Sequence, residues 1–170
     1  TKYDGRQTAV YANLIYQSII GTTAHKFRTG LSFTNDTYNE TYNSANFKRH
    51  EIVPGTFFEY TYTPGTKFTA IAGMRLDYHN EYGLIATPRL HLKYDFTPKT
   101  NLRFSAGSGF RTANIFAENA GLFASARQYN IVNPSTNYGY GFNPEKAWNY
   151  GVNFVHNFKI HKQAGSVSLD

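Results

Sequence analysis

Pro88–Arg111 reads PRLHLKYDF, TPKT, NLRFSAGSGFR. In its first part Leu90, Leu92, Tyr94 and Phe96 alternate with Arg89, His91, Lys93 and Asp95. In its last part Leu102, Phe104, Ala106 and Phe110 alternate with Arg103, Ser105, Gly107, Gly109 and Arg111. A period of two places one set on each face of a strand, and Thr97-Pro98-Lys99-Thr100 supplies a reversal. The stretch therefore predicts an antiparallel hairpin with one oily, aromatic face and one charged or small face.

The same unit recurs along the chain. Strands are predicted over Thr8–Ile20, Phe27–Thr34, Arg49–Tyr62, Phe68–Asp77 and Lys146–Phe158, with a further one beginning at Ser166. Pro54 predicts a bulge or edge-like irregularity in the third. Thr63-Pro64-Gly65-Thr66 is a tight turn, and breaks fall at Gly21–His25 and Lys159–Ala164. Asn35–Lys48 predicts a polar loop, Asn80–Thr87 a medium one and Thr112–Asn143 a very long one.

Composition limits what this sheet can be. The 170 residues include 14 Tyr, 14 Phe and 1 Trp, with only 16% charged residues, an unusually aromatic balance for a soluble domain. Mean hydropathy is nevertheless −0.50, because oily positions alternate with polar ones. No run approaches the ~18 apolar residues of a membrane helix, so a membrane reading must be a β reading. With no cysteine, disulfides, thiolate metal sites and cysteine nucleophiles are excluded. A formal charge of +6, scattered along the chain, fits solvated or lumen-facing cations better than nucleic-acid binding.

The predicted connections run short, long, short, medium, short, very long, short. In an up-and-down sheet all the long ones then fall at one end, the asymmetry of outer-membrane barrels. On the oily faces Tyr60, Tyr62, Phe68, Tyr94, Phe96 and Phe158 lie beside short turns, while Tyr78, Phe110 and Trp148 lie near the long loops. Two such bands match interfacial girdles. A soluble lipocalin-like barrel, with the oily face inside, is the alternative. Loop asymmetry and girdles together favour the membrane solution, with Arg75, Lys93 and Arg103 facing the lumen.

Two motifs carry a family resemblance. Gly107-Ser108-Gly109-Phe110-Arg111, followed by TANIFAENAGLFASAR, resembles the segment where a strand of TonB-dependent outer-membrane receptors opens into a large extracellular loop. Asn143-Pro144-Glu145-Lys146-Ala147-Trp148-Asn149-Tyr150-Gly151 is similar to the same family's strand opening, with Gly151 where an acidic residue is usual. ANIFAENAGLFASAR is most similar to receptors of Bacteroidetes.

The resemblance implies an all-β, antiparallel, up-and-down transmembrane barrel of about 22 strands with a plugged lumen, located in the bacterial outer membrane. This chain would supply about eight strands, with the plug domain, the TonB-interacting segment and the final strands outside it. Such proteins are transporters rather than enzymes. They import siderophores, cobalamin, haem or glycans with TonB-relayed energy; the implied partners are the TonB complex, outer-membrane lipid including lipopolysaccharide, and a small-molecule or glycan substrate. A passive porin, an adhesin-type barrel and the soluble barrel remain alternatives.

Substrate contact is expected in the very long loop, at Arg111, Asn114, Glu118, Tyr129, Tyr138 and Tyr140, where aromatic rings and amides suit sugars or siderophores. For Arg111, Asn114 and Glu118, ordering the loop is the stronger expectation. No cofactor is expected. His79 with His91, or His156 with His161, lacks carboxylate or thiolate neighbours at ligand spacing, so no metal site is assigned. Asp36 and Glu40 fit a plain polar loop better than a calcium site. Gly107-Ser108-Gly109 lacks the Lys-Ser/Thr of a phosphate loop, and no nucleophile elbow is present.

Overall fold

The computed structural model describes residues 3–42, 45–119, 121, 139–161 and 163–170. It is one eight-stranded antiparallel sheet: β1 (Tyr3–Ile19), β2 (His25–Tyr42), β3 (Ala45–Tyr62), β4 (Phe68–His79), β5 (Gly83–Thr97), β6 (Thr100–Arg111), β7 (Glu145–Ile160) and β8 (Gln163–Leu169). Spatial order equals chain order, and the sheet is open between β1 and β8. A four-residue helix, α1 (Ile115–Glu118), and a 3-10 turn at Gly139–Gly141 lie between β6 and β7.

The hairpin that decides the fold forms as its alternation requires. Leu90 opposes Ala106, Leu92 opposes Phe104 and Tyr94 opposes Leu102 on one face. On the other, Arg89 opposes Gly107, His91 opposes Ser105 and Lys93 opposes Arg103. The like charges of Lys93 and Arg103 are offset by Asp95, 2.8 Å from Lys93 Nζ. Between β3 and β4, Gly65 adopts φ +82°, the left-handed conformation the Pro-Gly turn needs.

We call the face that carries Arg75, Asp77 and Arg103 the inner face. Every ion pair between strand residues among the described residues lies on it, including Arg28–Glu59, Arg49–Glu51, Arg75–Asp77 and Arg89–Glu59. The outer face is apolar and uncovered: Leu14, Leu84 and Tyr150 are 67%, 69% and 70% exposed. An apolar surface this continuous marks a face that meets an apolar partner. Among the described residues no helix is long and apolar enough to cross a membrane, which says nothing of strands.

Three sequence expectations are corrected. The predicted loop Asn35–Lys48 is mostly strand: Asn35–Tyr42 pairs with β1 on one side and β3 on the other, to the rungs Tyr3↔Tyr42 and Tyr42↔Ala45. Alternation in polarity vanishes there because both faces are polar, yet every backbone group has a ladder partner. Asp36 and Glu40 therefore sit in a strand rather than at a loop tip.

The predicted loop Asn80–Thr87 shrinks to residues 80–82, because β5 starts at Gly83. Asn80 holds this turn by accepting from Ile52 N and donating to His50 O, both at 2.8 Å. Pro54 causes no bulge: Phe33↔Pro54 falls in an unbroken register. The β3–β4 ladder starts only at Gly55, so Pro54 lies where one neighbour has ended and a missing N–H is tolerated.

Candidate functional site at the root of the long loop

β2 and β3 extend past the outer ends of β4 and β5, and their inward positions build a platform. Side chains alternate, so Tyr38, Glu40 and Tyr42 of β2 share the inner face with Phe47, Arg49 and Glu51 of β3 and with Tyr3 of β1. Phe116 of α1 inserts here and is 1% exposed. Its ring centroid lies 5.2 Å from Tyr3, 5.8 Å from Tyr42, 5.2 Å from Phe47 and 5.4 Å from Tyr140, the last edge-on.

A four-residue helix has no stability of its own; α1 is held by this aromatic socket and by its cap. The Asn114 side chain accepts from Ala117 N at 3.1 Å, and Glu118 Oε1 accepts from Asn114 N at 3.1 Å. That reciprocal arrangement satisfies two otherwise orphaned N–H groups.

Polar bonds tie both feet of the loop to the platform. At the entry, Arg49 Nη1 donates to Ala113 O at 3.0 Å and Thr112 Oγ1 donates to Glu51 Oε2 at 3.3 Å. Arg49 Nε lies 2.9 Å from Glu51 Oε1, an ion-pair distance at an angle outside hydrogen bonding. Its guanidinium also stacks 4.0 Å from the Tyr38 ring centroid and 5.4 Å from that of Tyr140. His79, 1% exposed, supports this corner. Its Nδ1 accepts from Glu81 N at 3.1 Å, so its Nε2 carries the proton and points at Glu51 Oε2, 3.7 Å away.

At the exit, buried Glu40 receives two phenols, Tyr3 at 2.9 Å and Tyr140. Burial, then the bond to Glu40 and its charge, push Tyr3 up to about 12 and Tyr140 further still. Both remain neutral donors to a carboxylate that only accepts. Tyr82 Oη donates to Phe142 O at 3.1 Å. Arg111 links the two feet directly, 3.2 Å from Glu118 and 2.7 Å from Glu145.

Arg111, Asn114, Glu118 and Tyr140 thus meet in one assembly around α1, with Tyr140 Oη 3.5 Å from Asn114 Oδ1. Tyr129 and Tyr138 lie outside the described residues. Sequence reasoning missed Tyr3, Arg49, Glu51 and Phe116, and it weighed Glu40 and His79 only as metal ligands. The one local signal was Arg49 and Glu51 at i, i+2, which a strand places on the same face. Chemically the assembly offers neutral donors, one exposed guanidinium and aromatic edges: groups that hold and recognise.

Comparison with known proteins places this geometry. The family model for the TonB dependent receptor-like β-barrel matches residues 1–170. The fold is similar to the crystal structure of the siderophore receptor PirA from Pseudomonas aeruginosa, with a TM-score of 0.70 and 13% identity. That match covers 96% of this chain and 31% of that receptor, so the chain spans about a third of its length. No curated protein matches the chain. The alternating sheet, its uncovered apolar face and the family match over the whole length lead to one conclusion: the chain belongs to the TonB-dependent receptor-like β-barrel family, receptors rather than enzymes, of the bacterial outer membrane.

Proposed function

We propose that the chain forms part of the wall and outer rim of an active transporter importing a scarce nutrient with energy relayed by TonB. The nutrient class is a siderophore, cobalamin, haem or glycan. The remaining strands, a plug and the TonB-interacting segment are contributed by sequence outside these residues. The carrying observation is the loop between Arg111 and Glu145, tied at both feet above the inner face. Loops on rigid scaffolds commonly carry recognition, and Arg111 is the group member whose side chain is most exposed. Within this reading Asn114, Glu118 and Tyr140 hold the loop while Arg111, Tyr129 and Tyr138 approach the substrate.

The test is uptake by cells carrying the full-length protein, with candidate iron–siderophore, haem, cobalamin and glycan substrates. Accumulation should require TonB, and Arg111→Ala should lower it severalfold while leaving the amount of folded barrel unchanged. Uptake that persists undiminished in cells lacking TonB would indicate a passive pore and end the proposal.

The face assignment makes its own expectation. Spin labels at Leu76, Leu92 and Phe104 in the full-length protein should be accessible to oxygen and shielded from water-soluble relaxers. Labels at Asp77, His91 and Arg103 should behave oppositely, and equal accessibility at Phe104 and Arg103 would refute it.

A further inference from the structure

We propose that His79 is a pH-sensitive catch, holding the exit foot of the long loop when neutral and releasing it when protonated. Its buried imidazole reaches toward both feet. On the entry side, Nε2 points at Glu51 Oε2, 3.7 Å away, the oxygen that also accepts from Thr112 Oγ1. On the exit side, its ring centroid lies 4.7 Å from that of Tyr82, whose hydroxyl donates to Phe142 O at 3.1 Å. Between the two, Nδ1 accepts from Glu81 N at 3.1 Å.

The neutral ring serves the exit side. Nδ1 fixes Glu81, and so the turn that carries Tyr82, while Nε2–H and Glu51 Oε1 stay buried without a hydrogen bond. A second proton reverses this, because an imidazolium has two donors and no acceptor. Nδ1–H would then meet the Glu81 N–H head to head, and the full charge would draw Glu51 into a closed ion pair. Glu81 N has to turn away, and Tyr82, the next residue, takes the Phe142 bond with it. The turn has room to move. Asn80 is fixed to Ile52 and His50, but Gly83 on the other side has φ +72° and open space where a Cβ would stand.

The surrounding charges oppose one another. Glu51 of β3 favours the imidazolium, as does Asp36 of β2, which stands opposite Glu51 in the ladder. Arg49 of β3, 2.9 Å from Glu51, and burial of the ring disfavour it. The turn brings Tyr82 and half-buried Glu81, whose carboxylate accepts from Asn80 at 3.2 Å. On the ring's own strand, Asp77 is taken up by Arg75. Gly83 and Ile85 of β5 and Thr112 of the loop add no charge. A balance of this kind lets one proton decide between two arrangements, and imidazole takes up its proton between about pH 5 and 8. The catch requires neither TonB nor any particular nutrient, so it stands or falls apart from the transport reading.

The test is amide hydrogen exchange on the full-length protein in lipid nanodiscs at about pH 8 and about pH 5.5, corrected for the intrinsic pH dependence of exchange. Protection at 80–82 and 139–142 should fall about tenfold on acidification. Protection at 112–118 should hold, because the aromatic socket and the Arg49 bond do not involve the ring. His79→Gln keeps an acceptor for Glu81 N and a donor toward Glu51 but cannot titrate. Glu51→Gln removes the anion that favours the imidazolium. Both variants should keep the same protection at either pH, and heat-modifiable migration verifies that each is folded. Equal protection of the unmodified protein at both pH values overturns the proposal. So does an equal loss at 112–118, or an undiminished fall in either variant.

Discussion

Phe116→Ala is expected to undock α1 and loosen the entry of the long loop while leaving the barrel intact. Phe116 contributes the one fully buried apolar side chain of α1, and four aromatic rings surround it. Truncating such a residue costs about 3–5 kcal/mol through lost burial and the cavity left behind. Locally, the remaining ties are the Asn114 cap, the exposed Arg111–Glu118 pair and the bonds from Arg49 and Thr112. Each net hydrogen bond contributes about 1 kcal/mol, so they do not replace the socket.

Amide hydrogen exchange at 112–118 in the full-length protein should accelerate about a hundredfold or more. Protection of β4 and β5 should be unchanged, since the ring contacts and ion pair of α1 go to β1, β2 and β3 and to Arg111 of β6. Phe116→Leu, which refills most of the socket, should retain most of the protection. Unchanged exchange at 112–118 in Phe116→Ala would mean that the polar ties alone hold the loop.

The legibility of this chain follows the contrast between its faces. From Pro88 to Arg111 one face is oily and the other charged, so alternation specifies both strands and which residues share a face, while the register comes from an irregularity between Asp95 and Thr97. From Asn35 to Lys48 that contrast is gone: Tyr38 and Glu40 point inward, Thr37 and Asn39 outward, and neither set is apolar. Backbone pairing continues without leaving a mark in hydropathy, so a strand reads as a loop. The candidate site was half legible for a similar reason. Arg111, Asn114 and Glu118 lie within eight residues and carry a family motif. Their platform is remote: Arg49 meets Ala113 from 64 positions away and Glu40 meets Tyr140 from 100. Register creates those contacts, and no local spacing encodes them.

Asp77→Ala is expected to weaken the inner face more than any other single charge removal. Asp77 is 3% exposed, and its two oxygens accept from Arg75 Nε and Nη2, both at 2.7 Å. Arg75 Nη2 also donates to Ser32 Oγ at 2.8 Å, so the pair bridges β4 to β2 across β3. The bridge is possible because Gly55, opposite Asp77 in the β3–β4 ladder, has no side chain. A Cβ there would collide with Asp77 Oδ1.

Breaking a buried pair costs about 3–5 kcal/mol, but Arg75 is 38% exposed and regains water. The loss for Asp77→Ala should therefore be about 2 kcal/mol. Gly55→Ala should cost a similar amount by displacing the same carboxylate. The double variant should fall well short of the sum, because both changes destroy one network. Urea unfolding of the full-length protein in lipid vesicles measures all three. Additive losses, or a loss below about 0.5 kcal/mol for Asp77→Ala, would show that Arg75 and Asp77 behave as a solvated pair and that Gly55 is small for another reason.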